Sequence, residues 1–505
     1  MELKAHIAAP TERGDYRSNV GQASVGLCVI GISLRVFFFL FDKNLWLDEA
    51  TASLSIVHRG FLGLCKPLEY AQMAPLGFLW AVKSSVLALG DHDLAFRVPS
   101  LLAGVLAVLL FQKVVKLAIP EGGIPALAAL ATFALSPTLI GYVCQAKVYG
   151  VDALCSVILL LFGMRALQSR RPADSLWLGA VATAVCWFSF PSCFVLGAVG
   201  LALMADALKL RDWKRLRASF AATATATLSF VAQYWFIARQ PAKVMEGIWA
   251  NEWIRLAPRT MGELKSNWDL LTQSLADPFG FPFTSLGLLV LALAIAQVWN
   301  RRDWRTALVL GGPVLLCLIG SSVTKYPWIG RFLLFLVPMS CLATGLGVRF
   351  IQTTLERQRF RGPALAFAAL LVIPLASDAG LRASRPLKHH GFTEVMRIIE
   401  AKGEPGGTLF VDNQSTPVFR FYDHRHGYSE RFRVLGLDVY MDDDVAYRAR
   451  LKSMARPGGK IWVIFPDHYI GWPTHLWTTL ATLDAIGHRE ESVELFHSSA
   501  YLYRF

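Results

Sequence analysis

Eleven apolar stretches dominate the sequence and leave few folds open to it. They lie near 20–41, 97–118, 124–142, 146–167, 175–190, 192–209, 218–238, 283–299, 306–322, 331–350 and 362–380. A helix needs about 17–25 such residues to span roughly 30 Å of hydrocarbon, and only helices or closed barrels satisfy their backbone polar groups there. Composition agrees, with 54% hydrophobic and 17% charged residues against roughly a quarter charged in a soluble domain. The sequence predicts a mostly α-helical, polytopic membrane bundle of about 11 spans.

A formal net charge of +13 would suit a nucleic-acid partner, but the basic residues are not pooled. They fall in short clusters between apolar stretches: Lys113 with Lys116, Arg170 with Arg171, Lys209 to Arg217, Arg301 with Arg302 and Arg305, and Arg357 with Arg359 and Arg361. Clusters of this kind mark cytoplasmic loops, and no nucleic acid is expected as a partner. The first nineteen residues are polar and carry Glu2, Lys4, Arg13 and Arg17, which is no cleavable signal. The first span is therefore its own anchor behind a cytoplasmic tail, 1–19.

The segment 73–89 is apolar but short, with Lys83, Ser84 and Ser85 in its middle. Counted as a span, it throws the basic loops onto both sides of the membrane. Read as an interfacial or re-entrant helix on the outer side, it leaves every basic cluster cytoplasmic. Four segments then lie outside: 42–96, 142–149, 239–282 and everything beyond about 381. The loop 239–282 carries Trp249, Trp253 and Trp268 among charges, which suits an amphipathic element at headgroup level that either covers a lipid cleft or anchors the fold. Of the eight cysteines, six lie in apolar runs as small buried hydrophobes, and no disulfide is expected between Cys65 and Cys144.

Composition changes near Lys388. A helix is expected at 392–401, strands at 408–411, 434–437 and 460–465, and helices at 445–454 and 475–486. Alternation of this kind indicates a small α/β domain, so the chain divides into a tail (1–19), a transmembrane domain (20–380) and a C-terminal extracytoplasmic domain (381–505). His424 with His426, or the run Asp442, Asp443 and Asp444, has metal-ligating side chains, but loop solvation and helix capping are the preferred readings of them.

Chemistry is concentrated just outside the first span, at Trp46-Leu47-Asp48-Glu49-Ala50. Two adjacent carboxylates at the edge of hydrocarbon are costly unless used or solvated. Alone, the pair also reads as a juxtamembrane helix cap. Three further pieces share its side of the membrane: Gln72-Met73-Ala74-Pro75-Leu76; Arg97 with Pro99-Ser100; and Gln145-Ala146-Lys147-Val148-Tyr149-Gly150-Val151-Asp152. Arg331 opens a later span on that side. For each cation, snorkelling to lipid headgroups is the alternative to a functional role.

In order and spacing these pieces resemble the GT-C superfamily of glycosyltransferases that use polyprenyl- or dolichyl-phosphate sugars, similar to protein O-mannosyltransferases and lipid A aminoarabinose transferases. The resemblance covers residues 20–380 and implies a GT-C-like bundle with an outward-facing cavity. It implies Asp48, with Glu49 beside it, as the catalytic carboxylate pair, Asp48 serving as base. Arg97, Lys147 and Arg331 would hold the donor phosphate, with Lys83 a weaker candidate, and Gln72, Gln145, Tyr149 and Asp152 would line the substrate site. Partners would be a polyprenyl-phosphate sugar, membrane lipid, and a glycan, lipid or protein acceptor, at the outer side of a bacterial inner membrane.

Some features depart from the family pattern. Met73-Ala74-Pro75 lacks the usual cation and one of two prolines, Gln145 replaces an acidic residue, and Lys147 replaces an arginine. Hard oxygen ligands for a divalent cation could come only from Asp48, Glu49 and Asp152, which leaves metal dependence open. A lipid-linked glycan flippase is the alternative from another class, but the sequence shows no internal repeat of the kind such folds carry.

Overall fold

The structure, a computed structural model, describes residues 10–41, 44–355, 362–384, 391–402, 406–436, 444–455, 458–467, 473–495 and 497–505. In chain order the helices of the first part are α1 (Pro10–Phe41), α2 (Leu47–His58), α3 (Leu76–Leu89), α4 (Asp93–Ala118), α5 (Gly123–Ala134), α6 (Pro137–Val143), α7 (Tyr149–Ser169) and α8 (Pro172–Val185). There follow α9 (Ser192–Lys209), α10 (Trp213–Gln233), α11 (Arg239–Ile248), α12 (Met261–Ala276), α13 (Thr284–Asn300), α14 (Trp304–Ser322), α15 (Val337–Leu355) and α16 (Gly362–Ser384). All eleven apolar stretches of the sequence are helical. Among the described residues seven are long and apolar enough to cross a membrane, or eight with the bent pair α5 and α6 taken as one span. The chain is a multi-pass membrane protein; the count of eleven spans is not reached by length and hydropathy, because α8 and α13 are short and α10 is long enough but less apolar. Leu102, Leu106 and Leu109 on α4 and Leu288, Leu289 and Ile295 on α13 stay exposed, as expected of a belt facing lipid.

The 40° bend between α5 and α6 has a local cause. Pro137 has no N–H to offer the Phe133 carbonyl, and the freed carbonyls need another donor inside the bundle. Arg35 of α1, 1% exposed, donates from Nη2 to Phe133 O at 3.3 Å and from Nη1 to Ala134 O at 2.8 Å. Gly31, one turn earlier, admits this contact, since a Cβ there would lie 2.9 Å from that of Ala134.

Described basic turns meet at one end of the bundle, while Arg357, Arg359 and Arg361 lie outside the described residues. Asp206 at the end of α9 is buried between Arg215 of α10 and Arg305 of α14, and Arg215 also donates to Ala166 O near the end of α7. Glu121 joins Arg301 and Arg349. The helix α3 keeps to the opposite end. At 14 residues it measures about 21 Å, too short to cross. Its Gly77 N–H donates to Trp187 O in the α8–α9 turn and its Leu76 N–H to Gln233 at the end of α10, while just past its other end Asp91 pairs with Arg425 of the C-terminal unit.

That unit comprises α17 (Phe392–Lys402), β1 (Thr408–Val411), α18 (Thr416–His426), α19 (Tyr428–Arg431), β2 (Arg433–Leu435), α20 (Asp444–Met454), β3 (Lys460–Phe465), α21 (Pro473–Asp484), β4 (His488–Leu495) and β5 (Ser498–Arg504). The strands form one sheet in the order β2-β1-β3-β5-β4, with β2, β1 and β3 parallel and β5 and β4 antiparallel. The final hairpin was not anticipated: the Glu- and Arg-rich β4 alternates buried and exposed residues only weakly. Asp442 and Asp443 lie outside the described residues. His424 sits edge-on to His58, and His426 stacks near Tyr422 and Tyr428. One buried cluster runs from Leu342 in the bundle to Phe392, Phe419 and Tyr422 in the C-terminal unit, so the two parts share a core.

Between them lies α2, pinned from beneath by a buried ion pair. Glu49 and Arg97 both have fully buried side chains. Arg97 reaches Glu49 through Nε at 2.9 Å and Nη2 at 2.7 Å, and Nη2 also donates to Asn44 O at 2.8 Å. Glu49 further accepts the backbone N–H groups of Ala146 at 2.5 Å and Trp46 at 3.3 Å. The carboxylate thereby ties the start of α2, the start of α4 and the α6–α7 junction together.

Two outcomes are expected. Glu49→Gln leaves the Arg97 charge buried without a counter-ion, and breaking such a pair typically costs about 3–5 kcal/mol; a large drop in the thermal midpoint of the purified protein checks it. A cysteine replacing the exposed Leu89, beside Gly90, should react with an impermeant thiol reagent applied to the same face that labels the C-terminal unit.

Candidate active site

Adjacent residues on a helix point about 100° apart, so Asp48 and Glu49 cannot face the same way. Glu49 turns down onto α4, and Asp48 turns into a cavity of about 200 Å³. Four stretches contribute to it: the start of α2, the 68–78 segment leading into α3, the 146–152 junction into α7, and Arg331 with Phe332 in the 3-10 turn Gly330–Leu336 ahead of α15. Ile248 and Trp249, from the end of α11 and just beyond it, close one wall. The tryptophan-rich loop 239–282 therefore contributes Ile248 and Trp249 to the cavity wall, while Trp268 on α12 is exposed.

Inside, one carboxylate meets two cations. Arg331 Nη1 donates to Asp48 Oδ2 at 2.5 Å, both side chains about a fifth to a quarter exposed, at 21% and 24%. The guanidinium lies within 6 Å of four ring centres, those of Trp46 (5.9 Å), Tyr149 (5.7 Å), Trp249 (5.6 Å) and Phe332 (5.7 Å). Aromatic faces at this range favour a cation and restrict its motion. Lys147 Nζ donates to Gln72 Oε1 at 3.0 Å, and Ser100 Oγ holds the Lys147 carbonyl at 2.8 Å. Burial works to raise the proton affinity of Asp48, yet the neighbouring Lys147 and Arg331 outweigh it and hold the carboxyl below its usual range. Burial lowers the proton affinity of the Lys147 ammonium, which Asp48 offsets in part.

Gln72 follows two residues held in the left-handed region, Tyr70 (φ 54°) and Ala71 (φ 52°). Such strain in non-glycine residues persists where surrounding structure imposes it, and here it turns Gln72 and Met73 into the cavity. Tyr149 and Asp152, in the first turns of α7, also line it. Asp152 Oδ1 is buried without a hydrogen-bond partner.

The cavity thus gathers Asp48, Lys147, Arg331, Gln72, Tyr149 and Asp152, and it leaves out four residues expected there. Arg97 is not free to hold a phosphate, because it lies wholly buried against Glu49 and Asn44. Glu49 is the other half of that buried pair and does not line the cavity. Gln145 precedes the lining residues and points elsewhere, its Oε1 unpaired. Lys83 Nζ caps the end of α2 at Ile56 O (2.8 Å) and Val57 O (3.3 Å). With Glu49 fully engaged, the three carboxylates considered for a divalent cation do not form a ligand set. Among the described residues no group of three or more metal-ligating side chains occurs. Sequence reasoning missed the cage of Trp46, Trp249 and Phe332 around Arg331; only the proximity of Trp46 to Asp48 hinted at it.

No family model matches the sequence, and no curated protein matches it closely enough to count as a relative. Solved structures do match. The ArnT structure from Cupriavidus metallidurans bound to undecaprenyl phosphate superposes with a TM-score of 0.53 at 13% identity, covering 95% of this chain and 98% of that one. Its apo form gives 0.52. The Archaeoglobus fulgidus oligosaccharyltransferase tethered to an acceptor peptide gives 0.50 at 11% identity, covering 88% of this chain and 68% of that one. At these identities the likeness speaks to architecture, and it does so over nearly the whole length: this chain has the fold of the GT-C glycosyltransferases.

Proposed function

We propose that this protein is a membrane glycosyltransferase that moves a sugar from a polyprenyl-phosphate carrier to a hydroxyl or amine of a lipid, glycan or protein acceptor, with inversion, at the outer face of a bacterial inner membrane. The observation that carries the reading is the meeting of Asp48, Lys147 and Arg331 in one cavity. A proton acceptor and two cations are what this chemistry requires. The acceptor O–H or N–H gives its proton to the Asp48 carboxylate while its lone pair attacks the anomeric carbon. The bond from that carbon to the phosphate oxygen breaks, and its electrons leave with polyprenyl phosphate. The added negative charge falls on Lys147 and Arg331, in a setting where fixed cations stabilise it more than water does. No separate acid is needed, because the leaving group is already a stable anion. The undecaprenyl phosphate held by ArnT supports a polyprenyl-phosphate donor.

The resting pair between Asp48 and Arg331 gives the cycle an order. A donor phosphate is a better partner for Arg331 than a carboxylate it must share, and its arrival releases Asp48. The base becomes available once the donor is in place. Gln72, Tyr149 and Asp152 are left to contact the sugar or the acceptor.

Two measurements test this. Incubation of the purified protein with a panel of polyprenyl-phosphate sugars should release polyprenyl phosphate from at least one; Asp48→Asn should slow that release by about 10²- to 10⁴-fold, the usual worth of a general base. Because Asp48 is held below the ordinary carboxylate value, the acid limb of kcat/KM, which reports the free enzyme, should fall below about pH 4. That of kcat should lie higher, since bound phosphate neutralises the two cations. A folded protein that releases carrier from no donor, with Asp48→Asn indistinguishable from wild type, would instead favour a flippase. The second measurement concerns Lys147→Ala, which should weaken donor binding by about tenfold or more, the value of one hydrogen bond to a charged group. The acceptor KM should hardly change, and an equal loss for both substrates would remove Lys147 from the phosphate site.

A further inference from the structure

The parallel part of the C-terminal sheet has the order β2-β1-β3, with β1 central. The connection from β1 to β2 runs through α18 on one face, in the core shared with the bundle. The connections flanking β3 run through α20 and α21 on the other, where Tyr447, Leu451, Leu480 and Leu483 form a separate cluster. The strand order therefore switches between β1 and β3. Open α/β sheets bind their ligands in the crevice outside the carboxyl ends of the strands at such a point.

Here an aspartate stands just beyond each of those carboxyl ends, Asp412 directly after β1 and Asp467 after Pro466 at the end of β3. Asp412 is used within its own domain: it caps the turn Asn413–Ser415 and accepts from Tyr447 at 3.2 Å. Asp467 is used outside it. Its Oδ2 accepts the backbone N–H of Leu47 at 2.7 Å, across 420 residues of sequence, and it is 7% exposed. Leu47 is the first residue of α2, and the next is Asp48. Two residues earlier, the Leu45 N–H donates to Tyr422 Oη at 2.7 Å, whose own proton goes to Asp93 Oδ2 at 2.7 Å. The switch-point crevice is thus filled by the first turn of the helix that carries the base.

We propose that Asp467 is a positioning residue for the reaction: the C-terminal domain holds the N-terminus of α2 where an α/β domain ordinarily holds its ligand, and thereby sets the reach of the Asp48 carboxylate into the cavity. A carboxylate at a helix start satisfies an orphan N–H and suits the positive end of the helix dipole. The Leu47 N–H at the α2 start takes its acceptor from Asp467, and the capping residue, Trp46, carries no side-chain oxygen to offer the turn. Glu49 and Arg97 hold the buried side of this turn; Asp467 and Tyr422 hold the opposite flank. The inference rests on Asp48 acting as base, and it gives the extracytoplasmic domain a part in catalysis that is independent of acceptor choice.

The test compares wild type, Asp467→Ala, Asp467→Asn and Tyr422→Phe as full-length protein, with whichever polyprenyl-phosphate sugar the wild type turns over. Asp467→Ala should lower kcat by about 10²-fold, the penalty of a displacement near 1 Å, while the donor Kd stays within about twofold. Its acid limb in kcat/KM should move to higher pH, because Asp48 retreats from Lys147 and Arg331. Those two and Tyr149 face Asp48 across the cavity, and Glu49 is beside it on its own helix. Asp467→Asn keeps an oxygen that accepts the Leu47 N–H and should restore kcat to within about fivefold of wild type on the same scale.

Wild-type kcat in folded Asp467→Ala overturns the inference, and so does a fall in activity that merely tracks loss of donor-binding protein with an unmoved acid limb. Should Asp467→Ala not fold, Tyr422→Phe decides: it removes the one hydroxyl that receives Leu45 N–H and donates to Asp93, and unchanged kcat there overturns the inference as well. If wild type itself releases carrier from no donor, the failure belongs to the proposed activity. Amide exchange then still reads the contact, with faster exchange across 45–52 in Asp467→Ala supporting it and unaltered exchange overturning it.

Discussion

The buried pair of Glu49 and Arg97 is the interaction on which the rest of the site depends. A carboxylate and a guanidinium with no exposure persist in a membrane bundle only if every hydrogen-bonding position is occupied. Here the occupants are backbone groups of Trp46, Ala146 and Asn44. Satisfying the pair and assembling the site are the same event, because those backbone groups belong to the start of α2, the α6–α7 junction and the exit from α1. Once they are fastened to α4, Asp48 and Lys147 have no choice but to face one another.

The second cation arrives differently. Arg331 comes from a 3-10 turn ahead of α15 and is held by rings from four parts of the chain as well as by Asp48. Rings hold a guanidinium without neutralising it, so Arg331 keeps a charge that a phosphate can use. The contrast with Arg97 is one of partners. Two bonds to a carboxylate and a carbonyl leave Arg97 no capacity, whereas Arg331 has one charged partner, at the mouth of a cavity, that can be exchanged.

Held from above by Asp467 and Tyr422, α2 sits between two domains that share a hydrophobic core. If α2 carries the base, as proposed, the C-terminal domain is in that sense part of the catalytic scaffold. Its sheet ends in two aspartates, Asp412 after β1 and Asp467 beyond β3; Asp412 accepts from Tyr447 within the domain, and Asp467 accepts from Leu47 outside it.

Local sequence determined a good deal. Runs of apolar residues fixed which segments are helical in the bundle, short basic clusters marked one of its ends, and the placement of those clusters favoured 73–89 as a helix that does not cross. Thr408–Val411 and Lys460–Phe465 were legible as strands, since hydropathy, chain period and turn residues act over a few positions. Asp48, Lys147 and Arg331 stood out as charges at the ends of apolar runs. What the tertiary structure alone decided was the division of labour: which member of Asp48-Glu49 faces the cavity, that Arg97 is spent on its neighbour, that Gln72 lines the cavity while Gln145 does not, and that Asp467 reaches the start of α2. These choices are made by contacts across 48 to 420 residues, and they depend on the angle at which one helix meets another. A difference of one position along a helix swings a side chain by about 100°, and no short-range pattern in the chain encodes which way that swing will face.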